Sequence, residues 1–465
     1  MSPPGLQNKI QLVSGFWESK VLPMDSEGGK MSIAMLPYLA HGHISPFLEL
    51  AKQLTKRGFN IYLCSTPINL ASIKNRIHET DNIQLIEFHL PSSPALPPHY
   101  HTTNGLPFNL RENLQQTFEN ASPIFIKILK DINPDLVIYD VMPAWPAEVA
   151  SSLNIPAVYF SVCAASGACI GLHFYKRTGE IFPFPEIFVP SAEQLQVSKE
   201  DVKPLLYFVL RFEQSCDLVL FKSCREVEGK YIDLLSDLSE KNVIPVGQLV
   251  NDSAGNEDDN LKNIIKWLDQ KEKSSVVFIC FGSENYLSKE ELIEVANALE
   301  TAKCNFLWAV RSPHKEEKGC SLLPDGFIER VGDLGLVTEW APQIEILRHS
   351  STGGFLSHCG WSSMNESMKF GVPIIAMPLR DDQPTNAKLA VDIGVGVHIP
   401  RDSEGKFKGE DIVEAIRKVL VDQSGEEVRK QARELSLKMK EKGDVDMDKA
   451  AEKLLHICRK KKETY

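Results

Sequence analysis

At 465 residues the chain is too long for one ordinary core and implies two domains of roughly 200 residues each. An apolar share of 43% supports substantial cores, while 24% charged residues indicate a hydrated surface. A net charge of −11 argues against nucleic acid as a partner, because a phosphate-tracking protein needs a basic face and this chain has none evident.

In chain order, residues 1–29 mix Pro, Gly and polar residues without periodicity, hold a second start at Met24, and read as a disordered extension. Their IQLVSGFW run meets Glu18 and Lys20 too soon for the apolar segment of a signal peptide. A first domain over 30–243 opens with an apolar strand at 32–39, then His41-Gly42-His43, then a helix over 44–56. Strands follow at 60–65 and 83–90, after which Pro, Ser and His crowd 91–107 into a long loop. A helix over about 110–130 leads to a strand at 135–139 that ends on Asp140, with further strands at 157–161 and 218–223. The acidic NDSAGNEDDN stretch gives 244–260 the composition of a linker. A second alternation over 261–440 places strands at 275–281, 305–310, 335–338, 354–357 and 374–377, with helices such as 289–302. The chain is helical and charged from Gly409 onward, and 441–465 forms a final helix. Such βαβα alternation means an α/β protein with two parallel, doubly wound sheets covered by helices.

Ten scattered cysteines without a C-x-x-C pair, several inside apolar runs such as SVVFICFG, read as reduced thiols of a cytoplasmic protein. No apolar run approaches the roughly 20 residues that span a bilayer, so no membrane insertion is expected. A monomer is expected.

Residues 340–383, WAPQIEILRHSSTGGFLSHCGWSSMNESMKFGVPIIAMPLRDDQ, carry the most chemistry. Trp340 offers a flat face of the kind on which bases stack. His358 and Gly360 lead from an apolar strand into a helix over 362–370, whose unpaired N–H groups, with Ser362 and Ser363, suit a diphosphate. Glu366, one turn on, can accept both hydroxyl protons of a ribose. Asp382 and Gln383 follow a second apolar strand and can hold hexose hydroxyls. Singly, such residues are more often capping, core or surface groups; in this order they suit a nucleotide sugar read from base to sugar. In the first domain His43 stands at a strand's carboxyl end, beside Gly42 and opening a helix, and so faces a cleft. Asp140 ends another strand at the same sheet edge, where a carboxylate can fix the imidazole tautomer, although an Asp there also suits a helix cap.

The 340–383 segment resembles, from its first Trp to its last Gln and without insertion or deletion, the signature box of the plant family 1 UDP-glycosyltransferases. The likeness runs from about residue 30 to the end and implies the GT-B fold, two Rossmann-like lobes facing a cleft with the last helix returning to the first lobe. It implies His43 as general base in a G-H dipeptide, with His41 at a variable position, and Asp140 as its partner. It further implies UDP contacts from Ser283, Trp340, Ala341, Gln343, His358, Gly360, Ser362, Ser363 and Glu366, and sugar contacts from Trp361, Asp382 and Gln383. Ser362 departs from the family, which usually has Asn there, so that phosphate contact is expected to be shorter or water-mediated. Gln383 is associated with glucose, and no Arg or Lys at 41–46 is present to neutralise a uronic acid, so UDP-glucose leads and UDP-xylose follows. The run HLPSSPALPPHYHTTNGLP at 89–107 is similar to enzymes that add a sugar to a sugar, closest to those of triterpenoid saponins of the ginsenoside type.

The implied reaction is one inverting displacement giving a β-glycoside. It requires no metal or other cofactor, the UDP-sugar being a co-substrate; Asp444-Val445-Asp446 resembles a metal-binding D-x-D but reads as helix capping. Competing readings are a nucleotide-sugar epimerase of the same fold, which could use a similar donor site without an acceptor pocket, and a non-catalytic UDP-sugar binder, which needs neither His43 nor Asp140. NAD-dependent oxidation is weak because no G-x-G-x-x-G follows the first strand.

Overall fold

The structure, a computed structural model, describes residues 30–78, 80–188, 203–251, 259–282, 284–312 and 319–464. The expected extension 1–29, the linker core 252–258 and Ser283 lie outside the described residues.

A first sheet contains β1 (Ser32–Leu36), β2 (Asn60–Ser65), β3 (Ile83–Glu87), β4 (Leu136–Tyr139), β5 (Ala157–Ser161), β6 (Leu218–Phe221) and β7 (Asn242–Pro245) in spatial order 3-2-1-4-5-6-7. A second contains β8 (Val276–Cys280), β9 (Asn305–Ala309), β10 (Gly335–Thr338), β11 (Thr352–Ser357), β12 (Ile374–Ala376) and β13 (Gly396–His398) in order 10-9-8-11-12-13. Every pairing is parallel. Central strands such as LVIY of β4 and TGGFLS of β11 are buried at every residue, as parallel strands covered on both faces must be.

Strand order reverses once in each sheet, between β1 and β4 and between β8 and β11. At such a switch point the two connections leave in opposite directions, and a crevice opens beyond the carboxyl ends of the strands. His43 and Asp140 follow β1 and β4; Gly282 and His358 follow β8 and β11. The topology alone therefore delivers each of these groups to a crevice.

Several elements differ from the sequence expectation. The helix over 110–130 is two, Arg111–Glu119 and Ser122–Ile132, because Pro123 suits a helix start and cannot continue one. The first helix begins at His41 rather than 44 and carries Pro46 within it, so both histidines lie in its first turn. β13 has three residues, too few for a readable alternation. β7 runs two residues into the stretch expected as linker, and the Asp259–Leu268 helix starts inside its far end.

The last helix, Val445–Thr464, packs Met447, Ala450, Ala451, Leu454 and Cys458 into the first sheet's core with Ile33, Phe47 and Leu136. Lys461 Nζ donates to the Pro134 carbonyl at 2.7 Å, fastening the helix to that lobe. Among the described residues no helix is long and apolar enough to cross a membrane.

Candidate active site

One wall is built at the β1/β4 switch point. His43 Nδ1 lies 2.7 Å from Asp140 Oδ2, with a fifth of the imidazole exposed and Asp140 buried. The carboxylate is held at both ends, Oδ2 also accepting from Tyr38 N at 3.0 Å and Oδ1 from Val141 N at 2.7 Å. An ionised carboxylate only accepts, so the Nδ1 proton points at Asp140 and Nε2 carries the lone pair. The Tyr38 ring meets the imidazole edge-on, centroids 5.3 Å apart. Burial by itself lowers the imidazole pKa; the charge and hydrogen bond of Asp140, with Glu284 behind them, overcome it and leave the pKa raised above 6.5. The His43 ring protons should accordingly titrate above 6.5 in an NMR pH series, and Asp140→Asn should move that midpoint down. A midpoint unmoved by the substitution would separate the two residues electrostatically.

The facing wall is built at the β8/β11 switch point. The His358 ring is wedged between two backbones: a Cβ on Gly282, whose φ is +79°, would come within 2.8 Å of the ring, and one on Gly360 within 2.5 Å. Cys359 between them takes a left-handed φ of +65°, unusual for a residue other than Gly. This turn ends in the Trp361–Phe370 helix, capped by Gly360. His358 is buried, and burial depresses its pKa to about 4 against a hydrogen bond with the Cys280 backbone, so its ring is neutral near pH 7. Its expected part in offsetting charge is thereby limited to one N–H and its dipole.

Beyond the helix start, Gln343 Nε2 donates to Glu366 Oε2 at 2.6 Å and to Ser363 Oγ at 3.1 Å, joining three of the predicted residues. Burial raises the Glu366 pKa, against the opposing Gln343 bond and the charge of Lys222. Trp340 stands 58% exposed at the rim, leaving its ring open for stacking. Asp382 Oδ2 accepts from Asn386 Nδ2 at 2.9 Å, while Gln383 Oε1 accepts from Leu379 N and Arg380 N at 2.9 and 3.0 Å. Its Oε1 thus secures the loop, and the amide NH₂ remains as a donor. Trp361 is buried, and its indole N–H donates to the Lys222 carbonyl at 2.7 Å, which commits that donor to the opposite lobe while the residue still lines the cleft.

The two walls enclose a cleft of about 490 Å³ lined by His43, Trp340, His358, Ser362, Asp382 and Gln383 among others. Ala341, Gln343, Gly360, Trp361 and Ser363 also line it, whereas Glu366 reaches it through Gln343. Asp444 and Asp446 lie elsewhere, paired with Arg57 at 3.1 Å and Lys442 at 2.7 Å. Three residues beside this site escape sequence reasoning: Tyr38 and Glu284 line the cleft, and Lys222 lies behind its Ser362 wall. Lys222, at the end of LVLFK, is buried and donates from Nζ to Ser362 Oγ at 2.9 Å across the lobes. Glu284 Oε1 accepts from Thr103 Oγ1 at 2.7 Å, again across the lobes, and Tyr38 borders His43. Their signal is weak because a polar residue after an apolar strand usually ends the strand and nothing more. Chemically, the arrangement sets a carboxylate-paired imidazole opposite the N–H groups of a helix start.

Residues 232–459 match the family described as UDP-glucoronosyl and UDP-glucosyl transferase, and residues 29–251 match glycosyltransferase, N-terminal domain. UDP-glucosyltransferase 29 of Panax ginseng is 59% identical, covering 95% of this chain and all of its own length. Beta-D-glucosyl crocetin beta-1,6-glucosyltransferase of Gardenia jasminoides is 45% identical, over 91% of this chain and 98% of its own. A Medicago truncatula glycosyltransferase complexed with UDP-glucose superposes with a TM-score of 0.76 at 26% identity, covering 92% of this chain and 98% of that one.

Proposed function

The chain belongs to the plant UDP-glycosyltransferase family, with its GT-B architecture, and from that premise we propose that it moves glucose from UDP-glucose to a sugar hydroxyl of a triterpenoid glycoside with inversion. The observation that carries this reading is the 2.7 Å His43–Asp140 contact on one wall of a cleft whose other wall is the Gly360-capped helix start. A binder needs only the second wall. With the donor on the helix start, His43 Nε2 takes the proton of the acceptor hydroxyl, the oxygen attacks the anomeric carbon, and the bond to the β-phosphate oxygen breaks with its electron pair. The N–H groups of the helix start and His358 meet the charge appearing on UDP. Inversion turns an α-linked donor into a β-glycoside. The donor is a co-substrate, and the reading assigns no cofactor.

Glucose is favoured by Gln383 beside Asp382, whose donor and acceptor groups match neutral hydroxyls. The sugar-on-sugar reading draws on the resemblance at 89–107, and the Gardenia relative is named for a glucosylated acceptor. The direct test is incubation with UDP-glucose or UDP-xylose and a panel of aglycones and monoglucosides, products read by mass spectrometry. Hydrolysis or epimerisation of the donor without any transferred sugar overturns the proposal.

Base and ribose contacts act alike on ground and transition states, so Trp340→Ala and Glu366→Ala should raise KM for UDP-glucose more than they lower kcat. Gln383→Ala should instead alter the choice between donor sugars. Calorimetry showing unchanged UDP affinity in both of the first two variants removes their assignment.

A further inference from the structure

We infer that Lys222, carried by the acceptor lobe, is a leaving-group residue whose ammonium binds the donor diphosphate together with Ser362 and the start of the Trp361–Phe370 helix. The inference rests on the reading of that helix start as the diphosphate site. Lys222 follows β6 at the carboxyl edge of the first sheet, its N–H donating to the Ser161 carbonyl at 2.8 Å and its carbonyl accepting from the Trp361 indole at 2.7 Å. With the backbone anchored on both sides, the side chain crosses to the other lobe, where Nζ donates to Ser362 Oγ at 2.9 Å.

The side chain is 2% exposed, and among the described residues its Nζ has that one hydrogen-bond partner and no carboxylate within ion-pair distance. An ammonium has three N–H donors, and a buried cation without an adjacent anion is costly unless its remaining donors are met. Glu366 and Glu49 influence it only from a distance, and burial pulls its pKa down to about 8, the response of a cation short of counter-charge. A cation so placed, bonded behind the cleft wall to the second residue of the Trp361–Phe370 helix, matches a dianionic diphosphate bound at that helix start.

A second observation is that the buried His358 ring adjoins the same helix start, its Nε2 being the ring atom nearest to where a Cβ on Gly360 would stand. His358 is neutral and the helix start supplies only about half a positive charge. Arg311 and Arg380 also border the cleft, but both sit on loops of the nucleotide lobe, and Arg380 is engaged with the Glu284 carbonyl at 2.7 Å and Asn285 Oδ1 at 2.8 Å. Lys222 is the full charge that the opposite lobe delivers to Ser362. As the anomeric bond to the β-phosphate breaks, the electron pair stays on UDP and the ammonium offsets it, while the acceptor proton goes to His43.

The test compares UDP with uridine by calorimetry in the full-length protein. In Lys222→Met the affinity for UDP should fall by about 10- to 100-fold, as for loss of a hydrogen bond to a charged group, while that for uridine stays the same. Turnover with UDP-glucose should fall as well, and Lys222→Arg should recover part of both losses, which a merely structural contact between lobes would not produce. Should the Met variant fail to fold, Lys222→Gln keeps a donor for Ser362 without the charge and gives the same comparison. A variant that retains the wild-type ratio of UDP to uridine affinity overturns the role of Lys222. A wild-type protein that binds UDP no better than uridine overturns instead the reading of the helix start on which this role rests.

Discussion

Replacing His43 by Ala should lower turnover by about 10²–10⁴-fold, the usual contribution of a general base, while leaving UDP binding nearly unchanged. The expectation follows from placement: His43 belongs to the first lobe, and its Nδ1 is already committed to Asp140 at 2.7 Å, leaving Nε2 for the acceptor hydroxyl. Because Asp140 raises the His43 pKa above 6.5, the wild-type kcat/KM should fall as pH drops through that raised value, where the base becomes protonated. In His43→Ala that acid limb should vanish from the residual rate. Asp140→Asn should also reduce turnover sharply, for a geometric reason. Both carboxylate oxygens accept from N–H donors, His43 and Tyr38 on one and Val141 on the other, and an amide can present an acceptor to only one side. Near-normal turnover in His43→Ala, or an acid limb that survives it, would sink the base assignment.

The helix start and the dyad are legible because they depend on local signals that topology then multiplies. A Gly after an apolar strand, followed by helix formers, predicts a phosphate-type turn wherever the strand sits. His43 and Asp140 lie 97 positions apart, yet each is found from its own strand end, and the β1/β4 reversal brings them together. What sequence leaves out are the contacts made by docking one lobe on the other. Lys222 to Ser362 spans 140 positions and Thr103 to Glu284 spans 181, and no periodicity relates such residues. Trp361 shows the converse: it lies within a legible motif, yet its indole N–H is taken by the opposite lobe. The three-residue β13 fails for a different reason, since it falls below the length at which a period can be read.

A glucosylated triterpenoid offered together with its free aglycone should be glycosylated in preference, the new β bond joining two sugars. One residue of the segment at 89–107 that motivates this reaches the surroundings of the cleft: Thr103 N donates to the Leu39 carbonyl at 2.9 Å, just before the His43 turn, and Thr103 Oγ1 donates to Glu284 Oε1. Glu284 lines the cleft with Tyr38 and His43 and acts electrostatically on the imidazole, which puts polar groups beside the proposed base. A bare terpene hydroxyl arriving there would leave those groups facing apolar surface, whereas a glucose presents a hydroxyl to each. Sites built to bond hydroxyls can reject an acceptor that lacks them by about 10⁴-fold, because their polar groups are then desolvated and unpaired. Glu284→Ala should narrow the preference by raising KM for the glucoside more than for the aglycone. Equal amounts of the two acceptors, competed for limiting UDP-glucose and read by mass spectrometry, decide the matter. Preferential glycosylation of the bare aglycone ends the sugar-on-sugar reading and leaves the dyad and the UDP site standing, since neither depends on what the acceptor carries beyond its attacking oxygen.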